Sequence, residues 1–175
     1  DNGIHFFTFL WMPVAIFIGH HPLYYMAAAT TAAYGLDELE IAGGYLGEPV
    51  PLVKCETVDL EVPANAELVL EGYIPPHVRE DEGPFSEFQD YYATGTGKNP
   101  IVQYTCMTRR HDAIFKNLQN GSEMEGCVFH KLPMSATIYR RLKDVGGGPN
   151  LHNVMILPGI FGLVVQMTPR AYGEG

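Results

Sequence analysis

Apolar and polar positions sort this chain into short segments with strand or helix periods. Pro13-Val14-Ala15-Ile16-Phe17-Ile18-Gly19 is an unbroken apolar run of strand length, the pattern of a strand covered on both faces. His21-Pro22 then opens an Ala-rich segment that reads as a helix to about Tyr34, with proline in its first turn and Gly35 at its close. Asp37 is placed to cap a second helix running through Leu46, and Glu38 falls in its first turn, where the helix dipole favours a carboxylate. Val53 to Val58 and Leu68 to Ile74 read as strands joined through a turn at Pro63-Ala64-Asn65. Pro75 to Pro84 reads as a polar loop carrying Arg79-Glu80-Asp81-Glu82. Gly95-Thr96-Gly97-Lys98 lacks the glycine spacing and the hydroxyl residue of a phosphate loop and reads as a hairpin turn. Ile101 to Thr108 returns to strand character, and Met134 to Leu142 has the spacing of an amphipathic helix. Val154 to Leu157 and Gly162 to Met167 are expected strands, linked by a Pro158-Gly159 turn. Many short strands, few long helices and frequent Gly/Pro breaks predict an α+β fold whose core is β-rich, with a barrel-like sheet. Composition shifts near Gly121-Ser122, so the expected domains are 1–120 and 121–175.

Charge and cysteine usage narrow the function. A formal net charge of −9 over 175 residues argues against a nucleic-acid backbone as partner, which would require basic surface. Cys55, Cys106 and Cys127 are widely spaced and odd in number, a pattern of buried thiols in a reducing cytoplasm rather than a disulfide framework or a zinc site. From Ile4 to Leu36 no Asp, Glu, Lys or Arg occurs, which raises the question of a membrane span. Pro13, the Gly19-His20-His21-Pro22 break and Thr30-Thr31 divide that run into a strand and a helix, so it reads as buried core. It opens on Asp1-Asn2 rather than the basic region of a signal peptide.

The candidate chemistry lies in Glu82-Gly83-Pro84-Phe85-Ser86-Glu87, two carboxylates flanking a Gly-Pro turn. Carboxylates brought close together do not both ionise freely. Such a pair can set a general acid beside a general base. Acidic loops are common, so the hexapeptide gains weight only from its surroundings. His20 and His21 stand at a strand-to-helix turn and read as structural; Tyr24-Tyr25 and Phe6-Phe7 read as core aromatics.

Those surroundings form an ordered series: Pro13 to Pro22, Asp37-Glu38, Ala42-Gly43, Gly47-Glu48-Pro49, and Leu52 through Glu67. Glu71-Gly72, the Glu82–Glu87 loop, Tyr91-Tyr92, Thr108 to Ile114 and Leu157-Pro158-Gly159 follow. In order and spacing the series resembles the UbiD family of reversible decarboxylases, which use prenylated flavin mononucleotide (prenylated FMN). The resemblance covers nearly the whole chain from Pro13 onward. It implies a split β-barrel flavin-binding domain followed by the start of an α/β domain that drives assembly. It also implies non-oxidative, reversible decarboxylation of an aromatic or α,β-unsaturated acid, a soluble cytoplasmic enzyme, and a homo-oligomer or a subunit of a larger complex.

By the same resemblance, Glu82 corresponds to the carboxylate that pairs with the family's arginine, and Glu87 to the proton donor at the carbon that has lost CO2. Ala28, Ala29 and Thr30 correspond to the backbone segment touching the flavin, and Glu38 to the acidic ligand of a manganese or magnesium ion. Potassium is the second implied cation near the phosphate. Asn2 is the candidate for the metal-binding asparagine, while Phe88 and His130 are placed toward the substrate pocket. The chain departs from the pattern at three points. Phe7 stands where the arginine would follow, Ser86 replaces a usual glycine, and only His5 is available as the histidine ligand. These departures lead to the expectation that the chain is a fragment or omits segments. They also leave a non-catalytic, structural subunit of a UbiD-like assembly as the alternative reading.

Overall fold

A computed structural model describes residues 10–86, 92, 95–119, 125, 127–147, 150–157 and 162–171. The chain divides into two compact units. One takes the described residues up to 21 and those within 50–86 and 92–117; the other takes those within 22–49 and from 118 onward. Asn2, Glu87, Phe88 and the Pro158-Gly159 turn lie outside the described residues.

The first unit is built on a three-stranded antiparallel sheet, ordered β1 (Met12–Ile18), β4 (Leu68–Ile74), β7 (Gln103–Arg109). Ile16 stands opposite Leu70, and Leu70 opposite Met107. A register shift interrupts the β4–β7 ladder between Glu71 and Gly72. β2 (Leu52–Lys54) pairs with β3 (Glu61–Pro63), and β5 (Arg79–Glu82) with β6 (Gly97–Pro100). Val58, Val62 and Val69 supply its buried apolar side chains.

Three expectations change here. The run Val53–Val58 is strand only to Lys54, because Glu56 and Thr57 turn aside to donate their N–H groups to the Glu71 carboxylate. The expected polar loop contains strand β5, and Gly97-Lys98 belong to the returning strand rather than to a turn. All eight residues of this β5–β6 pair are exposed, so no apolar alternation marks them. Their backbone ladder is supplemented by a Lys98–Asp81 ion pair of 2.8 Å.

Where β1 ends, Gly19 adopts φ +72°, a left-handed conformation that side chains disfavour. Glu67 N–H donates to the carbonyls of Ile18 (3.0 Å) and Gly19 (2.9 Å). The Glu67 carboxylate accepts from Ile114 N (3.3 Å) and pairs with Arg110 Nε at 3.6 Å. A Cβ on Gly19 would collide with the Glu67 side chain and stand 2.7 Å from the Ile114 carbonyl oxygen. Gly19→Ala is therefore expected to destabilise the fold by roughly 2–4 kcal/mol, from left-handed strain plus overpacking. Chemical denaturation of the intact protein checks this, and an unchanged midpoint would refute it.

The second unit contains α1 (Leu23–Ala28), α2 (Glu38–Leu46), α3 (Leu132–Leu142) and a hairpin of β8 (Leu151–Ile156) with β9 (Leu163–Met167). α1 stops well short of the expected Tyr34. Thr30 Oγ1 donates to the Met26 carbonyl four residues back, at 2.7 Å, a local bond that competes with the helix ladder. α2 follows its sequence signals. The Asp37 carboxylate accepts from Leu39 N at 2.7 Å, and Gly47 closes the helix with φ +78°. α1 and α2 pack together, with Ala27 and Ala42 fully buried among them. α3 lies on β8, whose Leu151, Val154 and Ile156 are buried, and the Ser135 hydroxyl accepts from Ile156 N at 3.3 Å. A π-helical turn, Cys127–Lys131, precedes α3. No helix among the described residues is long and apolar enough to cross a membrane.

Candidate active site

Glu82 ends strand β5, opposite Gly97, immediately before the Gly83–Pro84 cis peptide. It is exposed, and its Oε2 accepts a hydrogen bond from Asn99 Nδ2 on β6. The register sets Asn99 opposite Glu80, on the same face as Glu82 and diagonal to it. The hairpin thus restrains one carboxylate of the hexapeptide from two sides, through its own backbone ladder and through a side-chain donor. Asn99 is a neighbour the sequence does not announce, since its position depends on the pairing of two wholly polar strands.

In the second unit, α1 ends at Ala28 and Ala29 is its C-cap. Ala29 N donates to Tyr25 O at 3.1 Å and Thr30 N to Ala27 O at 3.0 Å. Methyl side chains at 28 and 29, with Ala28 exposed, leave this backbone open to close approach by a flat ring. A flavin is compatible with such a surface. Glu38 is exposed at the start of α2, and Glu40 shares its first turn. Among the described residues no three His, Cys, Asp or Glu side chains stand together as a metal shell. Glu38 alone does not make a metal site.

His130 is half-buried on the Cys127–Lys131 turn. Its neighbour Phe129 lies 5.5 Å from the Tyr25 ring at 57°, so this turn packs on α1, the helix that ends at the Ala28–Thr30 segment. Burial, reinforced by the negative charge of Glu125, pushes the Tyr25 phenol above its ordinary pKa. His20 has a structural environment in the first unit. Its Nδ1 meets the His21 carbonyl at 3.0 Å and its ring stands edge-on to Phe17 at 5.2 Å.

One carboxylate missed by the sequence reading is Glu71. It is 1% exposed. Its Oε1 accepts from Glu56 N (2.9 Å), and its Oε2 from Thr57 N (2.6 Å) and Thr57 Oγ1 (2.8 Å). Burial pushes its pKa up, but hydrogen bonds from Glu56, Thr57 and Val58 outweigh that and hold the carboxyl below the usual carboxylate range. Its signal was a lone acid in an otherwise apolar strand. Glu71 borders a cavity of about 220 Å³ that also touches Cys55, Val69 and Arg109; Glu82 does not line it.

The described residues thus form a strand-rich unit with an exposed carboxylate before a Gly-Pro turn, joined in sequence to a small helical segment. Residues 10–123 match the profile of the UbiD 3-octaprenyl-4-hydroxybenzoate carboxy-lyase Rift-related domain, and the chain belongs to the UbiD family. It is 35% identical over 161 residues to a phenolic acid decarboxylase of Bacillus subtilis (strain 168), covering 90% of this chain and 33% of that protein. An anhydromevalonate phosphate decarboxylase of Methanothermobacter thermautotrophicus is 34% identical over 148 residues, covering 85% of this chain and 34% of its own length. A solved structure of an evolved dimeric form of the UbiD-class enzyme HmfF from Pelotomaculum thermopropionicum, in complex with prFMN, superposes with a TM-score of 0.86. Its identity is 36%, over 94% of this chain and 38% of that one. The chain therefore spans about a third of the length of these two curated relatives.

Proposed function

We propose that the intact protein is a carboxy-lyase that removes CO2, without net oxidation, from an aromatic or α,β-unsaturated acid, using prenylated FMN. The observation that carries this reading is likeness along almost the whole chain to an enzyme solved with that cofactor. The split-barrel form of the flavin domain belongs to the same reading. When bound, prenylated FMN supplies the electron acceptor that loss of CO2 from an unsaturated carbon requires.

The chain's own residues have separate roles. Glu87 returns a proton to the carbon that has lost CO2, as a general acid. Glu82, restrained by Asn99, is the carboxylate of the arginine–glutamate pair. Ala28, Ala29 and Thr30 offer backbone to the flavin, and Phe88 and His130 shape the substrate pocket. Glu38 and Asn2 would be two of the oxygen donors to a divalent manganese or magnesium ion. Hard oxygen ligands suit such a cation, and potassium would help neutralise the cofactor phosphate. Both directions share one transition state, so CO2 concentration sets the net flux.

Reconstitution of the intact protein with prenylated FMN tests the proposal, followed by its absorption spectrum and by chromatography of a panel of phenolic and α,β-unsaturated acids. A retained flavin spectrum and cofactor-dependent loss of CO2 are expected. A protein that keeps no flavin and consumes no acid would overturn it. Retained flavin with no turnover on any acid would favour the non-catalytic subunit instead.

A further inference from the structure

Thr30 closes the segment assigned to flavin contact, and its hydroxyl has two partners. Oγ1 donates to the Met26 carbonyl at 2.7 Å and lies 2.9 Å from the Tyr45 phenol on α2. A threonine hydroxyl carries a single proton. With that proton on Met26, Tyr45 must be the donor in the second bond. A directed chain, Tyr45 OH to Thr30 Oγ1 to Met26 O, therefore runs from the last turn of α2 to the last turn of α1. The α1 ladder ends here, so this side-chain tie fixes Thr30 after the helix has stopped. Tyr45 is 39% exposed, so its ring is not held in place by burial alone.

We propose that Tyr45 is a positioning residue, which sets the conformation of Ala28–Thr30 for flavin binding from the neighbouring helix. This rests on the reading of that segment as the flavin contact. A purely structural tie between two helices would alter stability without altering flavin affinity through Thr30, and a double-mutant cycle separates the two.

The test is titration of the intact apoprotein with FMN, followed by flavin fluorescence, for wild type, Tyr45→Phe, Thr30→Val, the double variant and Thr30→Ser. Tyr45→Phe is expected to weaken FMN binding roughly 3–10-fold with a near-unchanged Tm, the scale of one lost hydrogen bond. The double variant should bind no more weakly than Thr30→Val alone, since both changes break the same chain. Thr30→Ser, which keeps the hydroxyl, should weaken binding less than Thr30→Val does. Wild-type affinity in Tyr45→Phe, or additive losses in the double variant, would overturn the positioning role alone. A wild-type apoprotein that binds no FMN would instead bring down the assignment of the segment, and this inference with it.

Discussion

Glu87→Gln is expected to lower kcat of the intact, flavin-loaded protein on the order of 10²–10⁴-fold, the usual worth of a positioned proton donor. Glutamine keeps the shape of the side chain and removes the acidic proton, so KM and the flavin spectrum should change little. Loss of kcat with KM unchanged identifies an interaction made in the transition state. Glu87→Asp keeps the acid on a shorter arm and should recover part of the rate. Glu82→Gln makes the comparison informative. Its amide oxygen can still accept from Asn99, so the β5–β6 hairpin should survive while the negative charge is lost. Its kcat should therefore also fall while the melting curve stays near wild type. Steady-state rates for both variants, with absorption spectra to verify loading, decide the matter. A Glu87→Gln protein with near-wild-type kcat would remove Glu87 from the reaction.

The parts of this fold that were legible are those where local chemistry and tertiary packing agree. β1 is apolar throughout, and α2 carries its own stop and start in Asp37 and Gly47. β4 was legible too, as a strand, but its most consequential residue was not. Glu71 follows Val69 by two positions and so shares its buried face, yet no local pattern marks a carboxylate there as buried and bonded until its donors are known. Those donors, Glu56 and Thr57, lie 14–15 residues earlier in sequence. They are the same residues whose strand assignment failed, and one contact explains both errors. The helix after Pro22 ended early for a similar reason, a threonine hydroxyl bonded back to Met26. β5 and β6 were illegible because a two-sided polar hairpin has no hydrophobic phase. The neighbours of Glu82 and Thr30, Asn99 and Tyr45, are 17 and 15 residues away. Each follows from a register or a helix packing that no local motif encodes.

Glu71→Ala is expected to destabilise the intact protein by roughly 1–3 kcal/mol, because it removes a buried charged acceptor shared by the N–H groups of residues 56 and 57 and the Thr57 hydroxyl. Glu71→Gln should cost less. Its oxygen still serves one donor, but its NH2 faces the other. The distinguishing behaviour is in pH. The folded-state pKa of Glu71 lies below its ordinary value of 4.5, so the folded carboxyl holds its proton less tightly than the unfolded one. Unfolding then takes up a proton, and stability from this group is fully present above about pH 4.5 and lost as pH falls through the folded value. Protonated Glu71 can no longer accept from every donor that surrounds it, and the turn at Cys55–Val58 loosens from β4. Denaturation of wild type and Glu71→Gln at pH 7, 5, 4 and 3 should show a constant gap at the two higher values that narrows at the two lower ones. A gap that stays the same down to pH 3 would mean that Glu71 contributes by shape and packing, with its charge irrelevant to the fold. The expected narrowing would instead make it an ionised strut. The same buried anion stands beside Cys55, whose thiol is pushed above its ordinary pKa by burial first and then by Glu71 and Cys106. Glu71→Gln should therefore lower the Cys55 pKa toward that of a free thiol, a shift that maleimide labelling rates across pH would follow independently of the melts.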